Sequence, residues 1–236
     1  MKQDRVLAYV AALAAAPALL ATYSCGGGES ISPVPPTTIT LDFTGGNANG
    51  VGAVFFSYPV GQESFYELES GIRTLPFPLD QHQTGFLLSG NNHSDSLNMT
   101  TKIRLTSLKP LTTYSVNFQV KLATNVPHGC LGIGGSPGEA VILWAAANAE
   151  EPQPIIEPLN WYTISAPYKS RVDLGDISNS QTDCFHGTYE PKTLASSTPY
   201  SVTTDAQGSS WALIGTRSGF EGKTTLYYTE LRLSFR

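Results

Sequence analysis

Cys130 and Cys184 are the residues of this chain whose types most constrain its chemistry. They are flanked as mirror images, His128-Gly129-Cys130 and Cys184-Phe185-His186. Two chemistries fit them. Paired cysteines in an exported domain are by default a disulfide. Here it would close a loop of about 54 residues and stabilise the fold by roughly 4 kcal/mol. Two thiolates and two imidazoles also make a tetrahedral zinc set, although the usual finger spacings are absent. A second pattern, Gly134-Gly135-Ser136-Pro137-Gly138, matches the G-x-S-x-G of a nucleophile elbow. That elbow uses the backbone N–H of the residue after serine, and Pro137 has none. The run therefore reads as a tight glycine turn. No Gly-Lys-Ser/Thr follows it, so it is not a phosphate loop either.

Three softer groups remain. The GNNHSDS loop carries Asn92, His93 and Asp95, a set able to hold a ligand or metal, or simply to bond its own backbone as turn residues do. Aromatic faces are platforms for sugars. Trp161, Tyr162 and Tyr168 lie near prolines and loops, and Tyr66 sits in a second cluster with Phe65 and Glu67. Trp144 and Trp211 lie in apolar runs and read as core. Glu63, Glu67 and Glu69 supply carboxylates, but nothing in their spacing marks an acid and a base. Asp42 on the first strand and Glu230 on the last would approach if those strands pair, a place where jelly-roll binding modules hold a structural calcium through oxygen ligands.

The elements that must position these residues are strands. Tyr114, Val116, Phe118, Val120 and Leu122 alternate with Ser115, Asn117, Gln119 and Lys121, so Thr113 to Leu122 has one dry face and one wet face. Met99 to Leu105 alternates likewise, with Lys102 and Arg104 on the wet side. Further strands are predicted at Ile39–Phe43, Val51–Tyr58, Ser64–Leu68, Gly85–Ser89, Trp161–Ser165, Arg171–Leu174, Tyr200–Thr204, Ser210–Gly215 and Thr224–Phe235. Ala140 to Ala147 is apolar throughout, a run that fits either a helix or a buried strand, and strand is favoured here. Leu75–Gln83 and Glu150–Pro158, rich in proline, read as loops. The sum is all-β: a single β-sandwich, jelly roll in preference to a fibronectin- or immunoglobulin-like arrangement.

The N-terminus gives an address. Lys2 and Arg5 precede an apolar run from Val6 to Ala21, which reads as a signal peptide over residues 1–24. Cys25 follows it, ahead of a tether rich in glycine and proline. That layout resembles a bacterial lipoprotein cleavage site, which would make Cys25 the lipidated first residue, with 25–38 as tether and 39–236 as the sandwich domain. Thr22 stands where such sites usually have leucine. Loss of Lys2, Asp4 and Arg5 would take the net charge from −5 to −6. With no basic cluster, nucleic acid is excluded as a partner.

Two resemblances carry the reading further. The phrases GFLLSGNNHSDSL, LGIGGSPGEAV and GTRSGFEGKTTLYYTELRL resemble those of a family of uncharacterised bacterial exported lipoproteins. This implies a cell-envelope context, periplasmic or cell surface, and no chemistry. Leu108-x-Pro110-x-Thr112-x-Tyr114 resembles the tyrosine corner of fibronectin type III domains. Together with the terminal TDAQG-to-LYYTELRL segment, it also resembles the galactose-binding-type jelly rolls of carbohydrate-binding modules. The expected function is non-catalytic binding of a glycan or other envelope component by a membrane-tethered sandwich. The alternatives are a jelly-roll glycoside hydrolase or lyase, and a structural envelope protein with no small ligand.

Overall fold

The computed structural model describes residues 37–165 and 170–236. The predicted signal peptide, Cys25, the tether up to residue 36, and Tyr168 lie outside the described residues. Every regular element among the described residues is a strand. In chain order these are β1 (Thr37–Asp42), β2 (Val51–Phe56), β3 (Tyr58–Pro59), β4 (Glu69–Thr74), β5 (Thr84–Asn91), β6 (Asn98–Leu105), β7 (Thr113–Thr124) and β8 (Val141–Asn148). There follow β9 (Pro154–Ile156), β10 (Trp161–Ile164), β11 (Val172–Asp176), β12 (Glu190–Ala195), β13 (Tyr200–Thr203), β14 (Ser210–Ser218) and β15 (Lys223–Phe235).

One sheet runs β12-β7-β15-β5-β4, with β13 also pairing β7 and β1 also pairing β15. The other runs β11-β8-β14-β6-β2, and a small third sheet runs β3-β10-β9. The long strands alternate between the two main sheets: β5, β7 and β15 in the first, β6, β8 and β14 in the second. That is a jelly-roll sandwich. The first and last strands pair along the whole of β1, from Thr37 opposite Phe235 to Asp42 opposite Glu230. β15 is interior to its sheet, because β7 flanks its other side. It bulges at Thr229, between its pairing with β5 and its pairing with β1. The Thr229 carbonyl takes the Phe43 N–H at 3.0 Å, which ties the end of β1 to the bulge.

The alternation of β7 and β15 builds the core. Tyr114, Val116, Phe118, Val120 and Leu122 face Met99, Ile103, Leu143 and Ile214, with Leu231, Leu233 and Phe235 beside them. The second sheet also buries its other face. Val54, Phe56, Trp144, Ala146 and Leu213 form a separate cluster, roofed by Ile164 of β10. β8 is thus covered on both sides, which is why Ala140–Ala147 has no wet positions. The tyrosine corner is present: the Tyr114 hydroxyl accepts the Lys109 N–H at 2.9 Å.

Three strands differ from expectation. Ser64–Leu68 is not a strand but a set of tight turns, with Tyr66 N–H on the Gln62 carbonyl at 2.9 Å and Leu68 N–H on that of Glu63 at 3.2 Å. Glu67 sits at φ +48°, which extended chain does not adopt. The strand begins at Glu69 instead. β9 lies within the proline-rich stretch read as a loop, and β12 was not expected at all. Both expose much of their length. β4 and β12 are edge strands, and chain with little burial shows little hydrophobic alternation.

Where β11 ends, the Asp176 carboxylate accepts from Ser178 N at 2.9 Å, Ser178 Oγ at 2.6 Å and Lys192 Nζ at 2.9 Å. Burial works to raise this carboxyl, but Ser178 and Lys192 outweigh it and hold it below the usual range. Thr44 does the same for Asp42, and Gln181 and Ser180 for Glu190. A carboxyl lowered by folding contributes stability above its unfolded value, near pH ~4, and loses it as pH falls through the folded one. The urea midpoint should therefore drop between about pH 5 and pH 3. Asp176→Asn should shrink that drop, and an unchanged profile would remove Asp176 from it.

Candidate functional site

Ser57 is the hub of the one region where the candidate residues gather. It separates β2 from β3 and adopts φ +63°, a left-handed conformation that turns the chain off the second sheet. Its N–H donates to the Tyr162 carbonyl at 2.7 Å, which seats β10 on this corner. Its carbonyl accepts the Ser96 hydroxyl at 3.1 Å, and its hydroxyl receives Asn98 Nδ2 at 3.5 Å. β10, β6 of the second sheet and the 92–97 loop therefore meet at one residue.

Three hollows adjoin there. The first, of about 280 Å³, is lined by Ser57, Ser96, Glu157, Leu159, Trp161 and Tyr162. The second, of about 270 Å³, is lined by Ser57, Asp95, Ser96, Asn98, Arg171 and Arg217. The third, of about 370 Å³, shares Tyr162 with the first and adds Tyr58, Lys102 and Pro154. The lining passes from aromatic to polar to charged along this groove.

Aromatic rings connect it to the 92–97 loop. Tyr162 packs on Tyr58 at 5.2 Å between centroids, and Tyr58 on Tyr66 at 5.5 Å. His93 meets Tyr66 edge-on at 5.3 Å and stacks on Phe65 at 4.1 Å. Burial and the nearby Glu63 push the Tyr58 phenol upward, so it stays neutral. Of the residues singled out in the sequence, Trp161 and Tyr162 are half-buried groove walls, and exposed Asp95 lines the second hollow. His93 and Tyr66 stand on the aromatic path. Asn92 has a different place. It is buried, donates to the carbonyls of Ser218 (3.2 Å) and Phe220 (2.8 Å), and accepts from the N–H groups of Ser94 and Leu97. It organises the loop from beneath.

Sequence reasoning missed Ser57, Tyr58, Asn98 and Arg217. One signal was available for Asn98: it shares the face of β6 that carries Lys102 and Arg104. Arg217 had none, because only the β6–β14 register sets it opposite Asn98.

The other candidates resolve separately. Cys130 and Cys184 are joined, S–S 2.07 Å, so their sulfurs are not available as zinc ligands. The flanking histidines turn to carboxylates, His128 to Glu139 at 3.2 Å and His186 to Asp183 at 3.0 Å. The Ser136 hydroxyl donates to Glu139, so the carboxylate stands between serine and imidazole. A hydrolase triad needs the imidazole in that middle place. Glu67 holds Lys223 at 2.6 Å and Glu69 holds Arg73 at 2.8 Å, while Glu63 lies 3.4 Å from the Tyr58 hydroxyl. Each has its own partner and no two form an acid–base pair. Lys223 and Asn91 hold Glu67 below the usual range, opposite to what a general acid requires.

Asp42 and Glu230 are directly opposed in the β1–β15 ladder. The Asp42 carboxylate accepts from Thr44 at 2.7 and 2.9 Å, and Glu230 pairs with Lys121 at 3.2 Å. Calcium takes roughly six to eight oxygens. Two carboxylates so engaged fall short of that, and we propose no ion there.

No family model matches the chain, and no curated protein is similar to it. Among solved structures it is similar to TmCBM27, a carbohydrate-binding module studied for specific mannan recognition. The two are 8% identical over 86% of this chain and 99% of that one, with a TM-score of 0.45. It is also similar to the K1 cleaved adhesin domain of Lys-gingipain from Porphyromonas gingivalis W83 (10% identity, 85% and 98% covered, TM-score 0.38). A third is the CBM22-1 xylan-binding domain of Xyn10C from Paenibacillus barcinonensis (9%, 83% and 92%, 0.38). Likeness at this level concerns the layout of strands and extends to no site.

Proposed function

We propose that this domain is a non-catalytic glycan-binding module, exported and held at the cell envelope through a lipidated Cys25, and that the groove around Ser57 is its binding surface. The observation that carries the reading is the groove itself. It sets two half-buried aromatic residues, Trp161 and Tyr162, beside a hollow walled by hydroxyl, amide and guanidinium groups. Sugars present an apolar ring face and a rim of hydroxyls, and that combination suits them. The separate engagement of Glu63, Glu67 and Glu69 supports binding without hydrolysis.

Calorimetric titration of the purified protein with mannan, xylan and glucan oligosaccharides tests the groove. Binding is expected, and Trp161→Ala should weaken it about tenfold or more, the scale of one lost stacking contact. No binding to any glycan or envelope fraction would sink the reading in favour of a structural envelope protein. Intact mass measurement from native membranes tests the tether: a chain beginning at an acylated Cys25 is expected, and an unmodified chain would remove the anchor.

A further inference from the structure

Leu131 and Phe185 are the most exposed large apolar side chains among the described residues, 98% and 91% accessible. Each follows directly on one of the bonded cysteines. The cysteine Cα atoms are 5.6 Å apart, so Leu131 and Phe185 stand within about 13 Å of each other at Cα. Ile133, 73% exposed, lies two residues further on. The backbone that carries these side chains is tied down. His128 N–H donates to the Gln181 carbonyl at 2.7 Å, and Glu221 N–H to the Ile133 carbonyl at 2.8 Å. Phe185 N–H donates to Asp183 Oδ1 at 3.0 Å. Gly132 lies so close to the Phe220 ring that a Cβ there would stand 2.6 Å from it. The result is a fixed tip with three large apolar side chains in water, and such a tip gains by being covered.

Three observations select a lipid surface as the cover. Leu131 and Phe185 clear the protein almost entirely. A protein partner packs on side chains seated among neighbours, whereas entry among acyl chains needs side chains that protrude. Residues 125–140 and 179–188 contain no lysine or arginine, and their carboxylates, Glu139 and Asp183, each meet a histidine. The contact therefore rests on apolar area and suits neutral headgroups. Chain length also allows it. Thr37 stands opposite Phe235, and Phe235 opposite Val116, whereas the tip lies beyond the other end of β7. From Val116 to Thr124 that strand spans about 27 Å. The roughly dozen residues between Cys25 and Thr37 reach about 40 Å when extended. That is enough for an anchor at Cys25 and the tip to rest on one bilayer.

Resting on the tethered reading, we propose that Leu131, Ile133 and Phe185 form a second membrane contact, entering shallowly among the acyl chains of a neutral lipid surface. The 219–222 turn joins this tip to the candidate site: Asn92 N–H donates to the Gly222 carbonyl at 3.0 Å, and Gly219 lines the second hollow. The contact thus holds the groove close to the headgroups.

The test uses the mature protein purified from native membranes, placed in phosphatidylcholine vesicles with and without brominated acyl chains. Phe185→Trp puts a reporter at the tip, and the wild type gives the background of Trp144, Trp161 and Trp211. Brominated chains should quench the added emission at least about twofold, and aqueous iodide should not. Adding Leu131→Asp and Ile133→Asp should reverse both results, with thermal melts to show that the variants are folded. Quenching by iodide alone puts the tip in water and overturns the contact, while an acylated Cys25 in the same sample leaves the tether standing. Shielding from both quenchers means a protein cover and also overturns it, and sedimentation tells whether that cover is a second copy. If Cys25 carries no acyl chain, the tether reading fails and cosedimentation with the same vesicles decides the tip alone. Binding that falls about tenfold or more in Leu131→Asp then sustains it, and absence of binding overturns it.

Discussion

Breaking the Cys130–Cys184 bond should lower the melting temperature by about 10 °C. The bond closes a separation of 54 residues, worth roughly 4 kcal/mol of lost chain entropy in the unfolded state. For a domain of this size each kcal/mol shifts the midpoint by about 2–4 °C. The Cys130→Ala/Cys184→Ala double variant and the reduced wild type should agree. The loss should fall mainly on the unfolded side, because hydrogen bonds already join the same two connectors. Asn179 N–H donates to the Val126 carbonyl at 2.7 Å, His128 N–H to that of Gln181 at 2.7 Å, and Asn179 Nδ2 to that of Thr124 at 3.2 Å. These bonds should keep the native state in place after reduction, so far-UV circular dichroism below the new midpoint should be unchanged. A melting temperature unmoved by reductant would mean that the bond does not restrict the unfolded chain as the loop-closure argument requires.

What the sequence made legible follows from which faces are wet. β7 could be read because one of its faces meets the core while the other keeps polar residues at Ser115, Asn117, Gln119 and Lys121. β8 could not be told from a helix by pattern, because Val141, Leu143, Ala145 and Ala147 face one core while Trp144 and Ala146 face another under Ile164. Nothing local announces that second cluster, since it exists only where β10 crosses the sheet. The site divides the same way. Trp161, Tyr162, His93 and Asp95 stood out by type and by their place in loops. Asn98 and Arg217 are 119 positions apart in the chain, and they become one feature only through strand register. Asn92 was legible as a loop residue, but its inward orientation was not, because its partners Ser218 and Phe220 come from the end of β14 and the turn that follows it.

That same register makes Gly215→Ala a severely damaging single-methyl change. Gly215 lies between Thr100 of β6 and Trp144 of β8. A Cβ at this position would stand 2.1 Å from the Met99 carbonyl oxygen and 2.5 Å from Thr100 Cα. Both are backbone atoms, so no rotamer change relieves the clash and β6 must move away from β14. That movement loosens ladder bonds and the Thr101 hydroxyl's bond to the Ile214 carbonyl, 2.9 Å long and buried. The expected cost is about 3 kcal/mol in urea unfolding. Gly52→Ala on β2 is the control: a Cβ there has no neighbour within 4 Å, and stability should change by less than about 1 kcal/mol. Asn98 and Arg217 lie two residues along from Thr100 and Gly215 on the same face. Prying the strands apart should therefore also displace two residues that line the second hollow, and Gly215→Ala should weaken glycan binding even at temperatures where it remains folded. A Gly215→Ala protein as stable as Gly52→Ala would mean that β6 and β14 do not run this close together, and the pairing of Asn98 with Arg217 would fall with that spacing.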